Sequence, residues 1–432
     1  MPVSRKRKKK PGKSGRSRVD RPTSGASPGE HDGRELAAAL RGLTAHRDRT
    51  DAQRTTLAGA AATDLVADLV AAVTNQPDMI VEDALCLRLG TVLAEAEQSP
   101  LNDRPGPHDL AEALVTAAAA AVAAAVDKTA PWRVLTAVAG ILPYPNSEAA
   151  DDAIARLRNT AGGHASPTSP GPVLTGPVLW TRDRYGSRFA VTAPITTAEA
   201  PMRWYLWDID ACGHQAFTVD SGFHGTSAAA LARWQAGVGP IAAAGTELTA
   251  VDDPSLLAQL LPAELGFMRV GGENEAQLAE YHRSRRLAET VQQAMSSPGT
   301  DSDDGLDAVA AVAEFTTWLR ARDTDRQELP ADLDELATEL ADSWSINDIG
   351  PVFATCSPHR VALSVLHMRD FYRDDFADQL LALLPDWTRW LAARNATPPD
   401  LADRCLPYAN GEPYPQIHAD RTGPDYLARV IE

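Results

Sequence analysis

Apolar and polar positions alternate most clearly between Val178 and Gly239, and the rest of the chain is arranged around that stretch. The segments VLW, RFAVTAPI, RWYLWDIDAC and AFTVDSGFHG are rich in Val, Ile, Thr, Phe, Tyr and Trp, with Gly, Pro and Asp between them. Such side chains suit a pleated, half-buried surface, so the pattern predicts short antiparallel strands. TSAAALARWQAGVG then places Leu231, Trp234 and Val238 at i, i+3 and i+7 behind a Thr226 N-cap, which predicts a helix. A β-meander closed by one helix results.

Elsewhere the period is helical. From Glu35 to about Arg158, Leu57, Leu65, Leu69 and Val73 form one apolar face, and Val81, Leu85, Leu89 and Leu93 form a second. A third helix has Asp109 as its expected N-cap and Glu112 three residues on, then Leu110, Leu114, Val122 and Val126. Pro131 fits the first turn of a fourth. Beyond the strands, TELTAV suggests one more strand, Pro254 to Leu261 a short helix, and Asn274 to Met295 a charged helix. In the last part Val309–Leu319, Leu333–Trp344, Val361–Met368, Phe376–Leu384 and Trp387–Leu391 give five helical faces, with an extended tail from Pro407. Gly/Pro/Ser-rich stretches at Gly162–Pro172 and Ser296–Gly305 separate the parts.

The predicted fold class is therefore α+β, mostly α. A helical N-terminal domain (33–160) precedes a linker (161–175) and a small antiparallel β-meander plus helix module (176–272). A charged helix (273–295), a linker (296–306), a helical C-terminal domain (307–410) and an extended tail (411–432) follow, with both ends expected to be disordered.

Charge changes this picture at one end. Residues 1–21 hold ten basic side chains and one acid, a net of +9; subtracting that from the −17 of the whole chain leaves −26 for residues 22–432. A like-charge block attached to an oppositely charged body is the composition of an interaction tail. Arg5, Lys6, Arg7, Lys8, Lys9, Lys10 and Lys13 are the candidate polyanion-binding residues, for nucleic acid or the ribosome, because phosphate neutralisation needs many cations and no fixed geometry. The same arm could equally be a solvated solubility tail. No apolar core segment follows it, so no secretory signal is expected, and the longest apolar run, Ala113 to Val126, is too short to cross a bilayer. The four cysteines are widely spaced without a CxxC, which fits buried thiols in a reducing, cytoplasmic compartment.

The heavy use of Ala, Arg, Asp, Gly and Pro, the MPVSRKRKKK opening and the LPDWTRWLAARNATPPDLADRCLPYANG segment resemble uncharacterised proteins of GC-rich actinobacteria. That resemblance implies no activity.

Candidate chemistry centres on the strands. Asp208 and Asp210 alternate, which puts both carboxylates on one face; Cys212 and His214 lie in the following turn, and Asp220, Ser221 and His224 lie where the next strand is expected to end. These residue types could form a metal or hydrolytic site, or simply make a hairpin and its turn. DSGFHGTS has the glycines and helix start of an anion-binding turn, yet matches no phosphate-loop motif; a strand-to-helix turn using Gly at positive φ explains it as well. Cys356, His359 and His367 share a helical region but need a third element to hold one ion. The tryptophans sit at core spacing. The expected function is a non-enzymatic intracellular binding or regulatory protein with a protein partner, no membrane and no cofactor; the alternative is a metal-dependent hydrolase with its site in the α+β module.

Overall fold

The computed structural model describes residues 28–97, 104–160, 171–213, 216–261, 274–295, 308–322, 329–345 and 349–414. The protein is α+β and mostly α, with helical N- and C-terminal regions around one small antiparallel sheet.

The N-terminal region contains α1 (Pro28–Asn75), α2 (Val81–Glu97), α3 (Pro107–Ala124), α4 (Thr129–Ile141) and α5 (Asn146–Thr160). Leu65, Leu69 and Val73 recur every four residues on α1 and are buried with Leu85 and Leu89 of α2. On α3, Ala111, Leu114, Ala118 and Val122 make the matching stripe, whose two alanines let helix backbones approach. Two residues expected on these faces are not: Leu57 is largely exposed, and Val126 lies past the end of α3 in solvent. The cap of α3 is also displaced. Gly106 is the N-cap, and Asp109 sits inside the first turn, where its carboxylate accepts from the Gly106 amide at 2.7 Å. Carboxylates suit that turn as well as the cap itself, because orphan N–H groups point there. One stretch of α1, Arg49–Asn75, is long and apolar enough to cross a bilayer, but its buried residues are the ones that face α2–α4.

The sheet runs β5-β4-β3-β2-β6, with β1 beside β3, every pairing being antiparallel. Its strands are β1 (Val173–Leu174), β2 (Leu179–Arg182), β3 (Arg188–Thr196), β4 (Arg203–Asp210), β5 (Phe217–His224) and β6 (Thr249–Ala250). Strand periodicity splits β4 into two faces. Tyr205, Trp207 and Ile209 join Phe189 and Val191 against α7 (Pro254–Leu260) and α8 (Glu275–Met295). Leu206 and Ala190 face the other way, onto Ala230 and Trp234 of α6 (Ser227–Val238). Thr226 caps α6, accepting from the Ala229 amide at 3.1 Å.

α8 occupies a position its composition conceals. It packs between α2 and the sheet, with Leu278, Leu287 and Val291 buried and Arg283, Arg285 and Glu289 buried beside them. The charge is satisfied internally. Arg283 pairs with Glu280 and with Asp83 of α2, Arg203 of β4 pairs with the same Asp83 at 2.7 Å, and the Tyr205 hydroxyl donates to Glu280 at 2.8 Å.

The C-terminal region comprises α9 (Ala308–Arg322), α10 (Leu333–Trp344), α11 (Gly350–Phe353), α12 (Pro358–Phe371), α13 (Asp374–Arg394) and α14 (Pro399–Ala409). Phe315, Trp344, Trp387 and Trp390 meet in its core, largely edge to face. Two expected boundaries move. The faces Phe376–Leu384 and Trp387–Leu391 belong to the single helix α13, which continues through Pro385. A helix-interior proline costs about 3 kcal/mol, and the burial of Leu383, Leu384, Trp387 and Leu391 on both sides of it offsets that cost. Likewise α14 contains Pro407 and runs to Ala409, so the extended tail does not begin at 407. Ile349 and Val352 leave this region and pack into the sheet core.

Candidate functional site at the end of strand β4

The carboxylates of β4 and β5 sit on one face of the sheet but do not act together. Asp208 is buried and accepts two hydrogen bonds from one guanidinium, from Nε and Nη2 of Arg188, both at 2.8 Å. Burial raises its pKa, and Arg188 pulls against that. Asp220, opposite Asp208 across the β4–β5 ladder, instead pairs with Arg233 of α6 at 2.6 Å. His224 pairs with Trp204 at the far end of the hairpin, about 20 Å along the strand from Asp210 at the usual rise per residue. Its pKa is lowered, chiefly by burial. Ser221 stands opposite Trp207 in mid-strand. His214 lies outside the described residues, as do Arg5, Lys6, Arg7, Lys8, Lys9, Lys10 and Lys13.

Asp210 behaves differently, because it ends β4 and points toward the C-terminal helices. One oxygen accepts from the Cys212 amide at 2.8 Å; the other stands 3.3 Å from Nδ1 of His359, in the first turn of α12. The oxygen, nitrogen and sulfur donor atoms of Asp210, Cys212 and His359 all lie within 4.8 Å of one another. The Cys212 sulfur is 3.5 Å from the hydroxyl of Ser357, which caps α12 by accepting from the Arg360 amide. Tyr414 stacks on the imidazole with ring centres 5.5 Å apart.

The electrostatics follow from this enclosure. Burial by itself would raise Asp210, but the neighbouring His359 imidazole and the Arg188 guanidinium hold its carboxyl well below the usual range. Burial by itself would lower His359, and the Asp210 carboxylate overrides it, pushing the imidazole up to about 10. Asp183, in the β2–β3 turn, is raised to about 6 by burial although it accepts from the Ser187 and Arg188 amides. Arg360 is fully enclosed; it donates to the Val352 and Trp344 carbonyls and to the Thr355 hydroxyl at 2.9 Å. Two further thiols are close by: Cys405 donates to the Cys356 carbonyl at 3.6 Å.

Of the sequence-derived candidates among the described residues, then, Asp210 and His359 enter one converging cluster, with Cys212 between them in chain order. Cys212 and His359 were visible as residue types, and the third element that His359 needed is the end of β4. The signal that could have placed His359 is the Ser357–Pro358 pair, a helix start that puts the next residue in the first turn. His367 is elsewhere on α12, stacked on Phe371 at 4.5 Å. DSGFHGTS is β5 running into the Thr226 cap; neither Gly222 nor Gly225 has positive φ, so their role there is not the one expected. Trp207, Trp234, Trp344 and Trp387 are core anchors.

Comparison with protein-family models, curated protein sequences and solved structures finds no match to this chain.

Proposed function

We propose that the protein is a non-enzymatic intracellular binding or regulatory protein, in which the helical regions meet a protein partner and the basic N-terminal arm meets nucleic acid or another polyanion. The partition of charge carries this reading: +9 within the first 21 residues against −26 in the remainder. An acidic body repels polyphosphate, so attraction must reside in the arm.

The other reading, a metal-dependent hydrolase built on Asp208, Asp210, His214 and His224, draws less support. Asp208 is committed to Arg188, and His224 sits at the opposite end of the hairpin from Asp210. Hydrolysis at a metal needs an ion, a water and a substrate in one open volume, and Asp210 and Cys212 are both buried.

The test is binding of a labelled, mixed-sequence oligonucleotide by the full chain and by a chain lacking residues 1–21. The full chain should bind and the shortened one should not, with unchanged thermal unfolding. Equal binding by both would refute the assignment.

A further inference from the structure

We propose that Asp210, Cys212 and His359 bind one zinc ion, which joins the end of the sheet to the start of α12. The donor set is the first argument. A carboxylate oxygen, a thiolate and an imidazole nitrogen suit a borderline-soft, tetrahedral d¹⁰ ion better than the oxygen-seeking magnesium or calcium.

The second argument is spacing. Two ligands on a tetrahedral zinc at about 2.0–2.1 Å each lie about 3.3 Å apart, and Oδ2 of Asp210 is 3.3 Å from Nδ1 of His359. A charge-assisted N–H···O bond would be shorter, about 2.7–2.9 Å. The sulfur completes a triangle whose edges are all within 4.8 Å, against about 3.5 Å for S–Zn–N and S–Zn–O edges, so binding draws the sulfur inward.

The charge balances. The ion takes lone pairs from the carboxylate, the thiolate and a neutral imidazole, while the Cys212 thiol proton and one imidazolium proton leave. A dication thus replaces two protons, and the enclosed charge beside Arg360 is unchanged. Ser357, 3.5 Å from the sulfur, or one water supplies the fourth position. With Asp210 at 3% and Cys212 at 7% exposure and Tyr414 over the ring, the site is shielded from bulk solvent. The ion's part is to hold together elements far apart in sequence, independently of the arm.

The full chain, purified without chelator, should carry about one zinc by elemental analysis. X-ray absorption of that protein should show one sulfur at about 2.3 Å among nitrogen and oxygen neighbours at about 2.0–2.1 Å. Cobalt replacing the zinc should give a thiolate-to-cobalt charge-transfer band. Cys212→Ser should abolish the band, His359→Gln and Asp210→Asn should weaken binding at least tenfold, and Cys86→Ser, in α2, should change nothing. A folded chain that retains no zinc and takes up no cobalt overturns the site. So does a metal shell without sulfur, or a charge-transfer band that survives Cys212→Ser; the absorption measurement needs no variant, and decides the matter even where one fails to fold.

Discussion

At the scale of single residues, the buried charge pair Arg188–Asp208 is the most exposed to test. Its two parallel hydrogen bonds sit beside the α6 packing face, where Gly237 would place a Cβ 3.4 Å from the carboxylate. Taking away one partner of a buried pair leaves an uncompensated charge, which costs about 3–5 kcal/mol, whereas an apolar replacement of both is often neutral. Arg188→Met alone should therefore lower the denaturation midpoint by that order, and Arg188→Met with Asp208→Leu should recover most of it. Equal losses in the single and double variants would show that the pair's charge is not what matters. Trp234 offers a second residue-level test: it is fully buried among Ala190, Leu206, Ala230 and Ala243. Trp234→Ala should cost about 3–5 kcal/mol in denaturant titration, the range for emptying an aromatic core site, and a midpoint equal to the unaltered protein's would contradict the packing of α6 on the sheet.

At the scale of elements, α8 is the part that most changes how the chain is understood. In sequence its Arg and Glu residues look like a solvated face; in the fold Asp83, Arg203 and Glu280 meet them, and none of those three is near Arg283 in helical phase except Glu280. Periodicity reports which positions are apolar and is silent on polar groups buried with partners from other elements, which is why the bounds of α8 were legible but the burial of its charges was not. The same limit hid the meeting of the cluster's residues. Asp210 could be picked out from alternation along β4, but His359 joins it only through tertiary packing. Pro385 and Pro407 failed as boundaries for the reverse reason, because burial on either side outweighs a strong local signal. Where α8 lies against α2, the contact is backbone to backbone: a Cβ on Gly90 would collide with the Glu275 carbonyl and come within 2.9 Å of Ala279. Gly90→Ala should consequently destabilise by about 1–3 kcal/mol, as overpacking does, despite the better helix propensity of alanine. Gly59→Ala, on a part of α1 with nothing within 4 Å, should stabilise by about 0.5–1 kcal/mol. Thermal unfolding of the two variants checks both signs, and a stabilising Gly90→Ala would remove α8 from its seat on α2.

At the scale of the whole molecule, a strongly acidic body carries a short basic arm. The arm's cations need no partner geometry, so their contacts should position the protein on a polyanion without reading its sequence. The most direct measurement is a salt titration of oligonucleotide binding by the full chain. If about six to ten of the ten cations neutralise phosphates, affinity should fall by roughly 10³–10⁵ between 50 and 200 mM salt, with little difference between sequences. An affinity that barely responds to salt, or one that discriminates strongly among sequences at constant salt, would contradict the account.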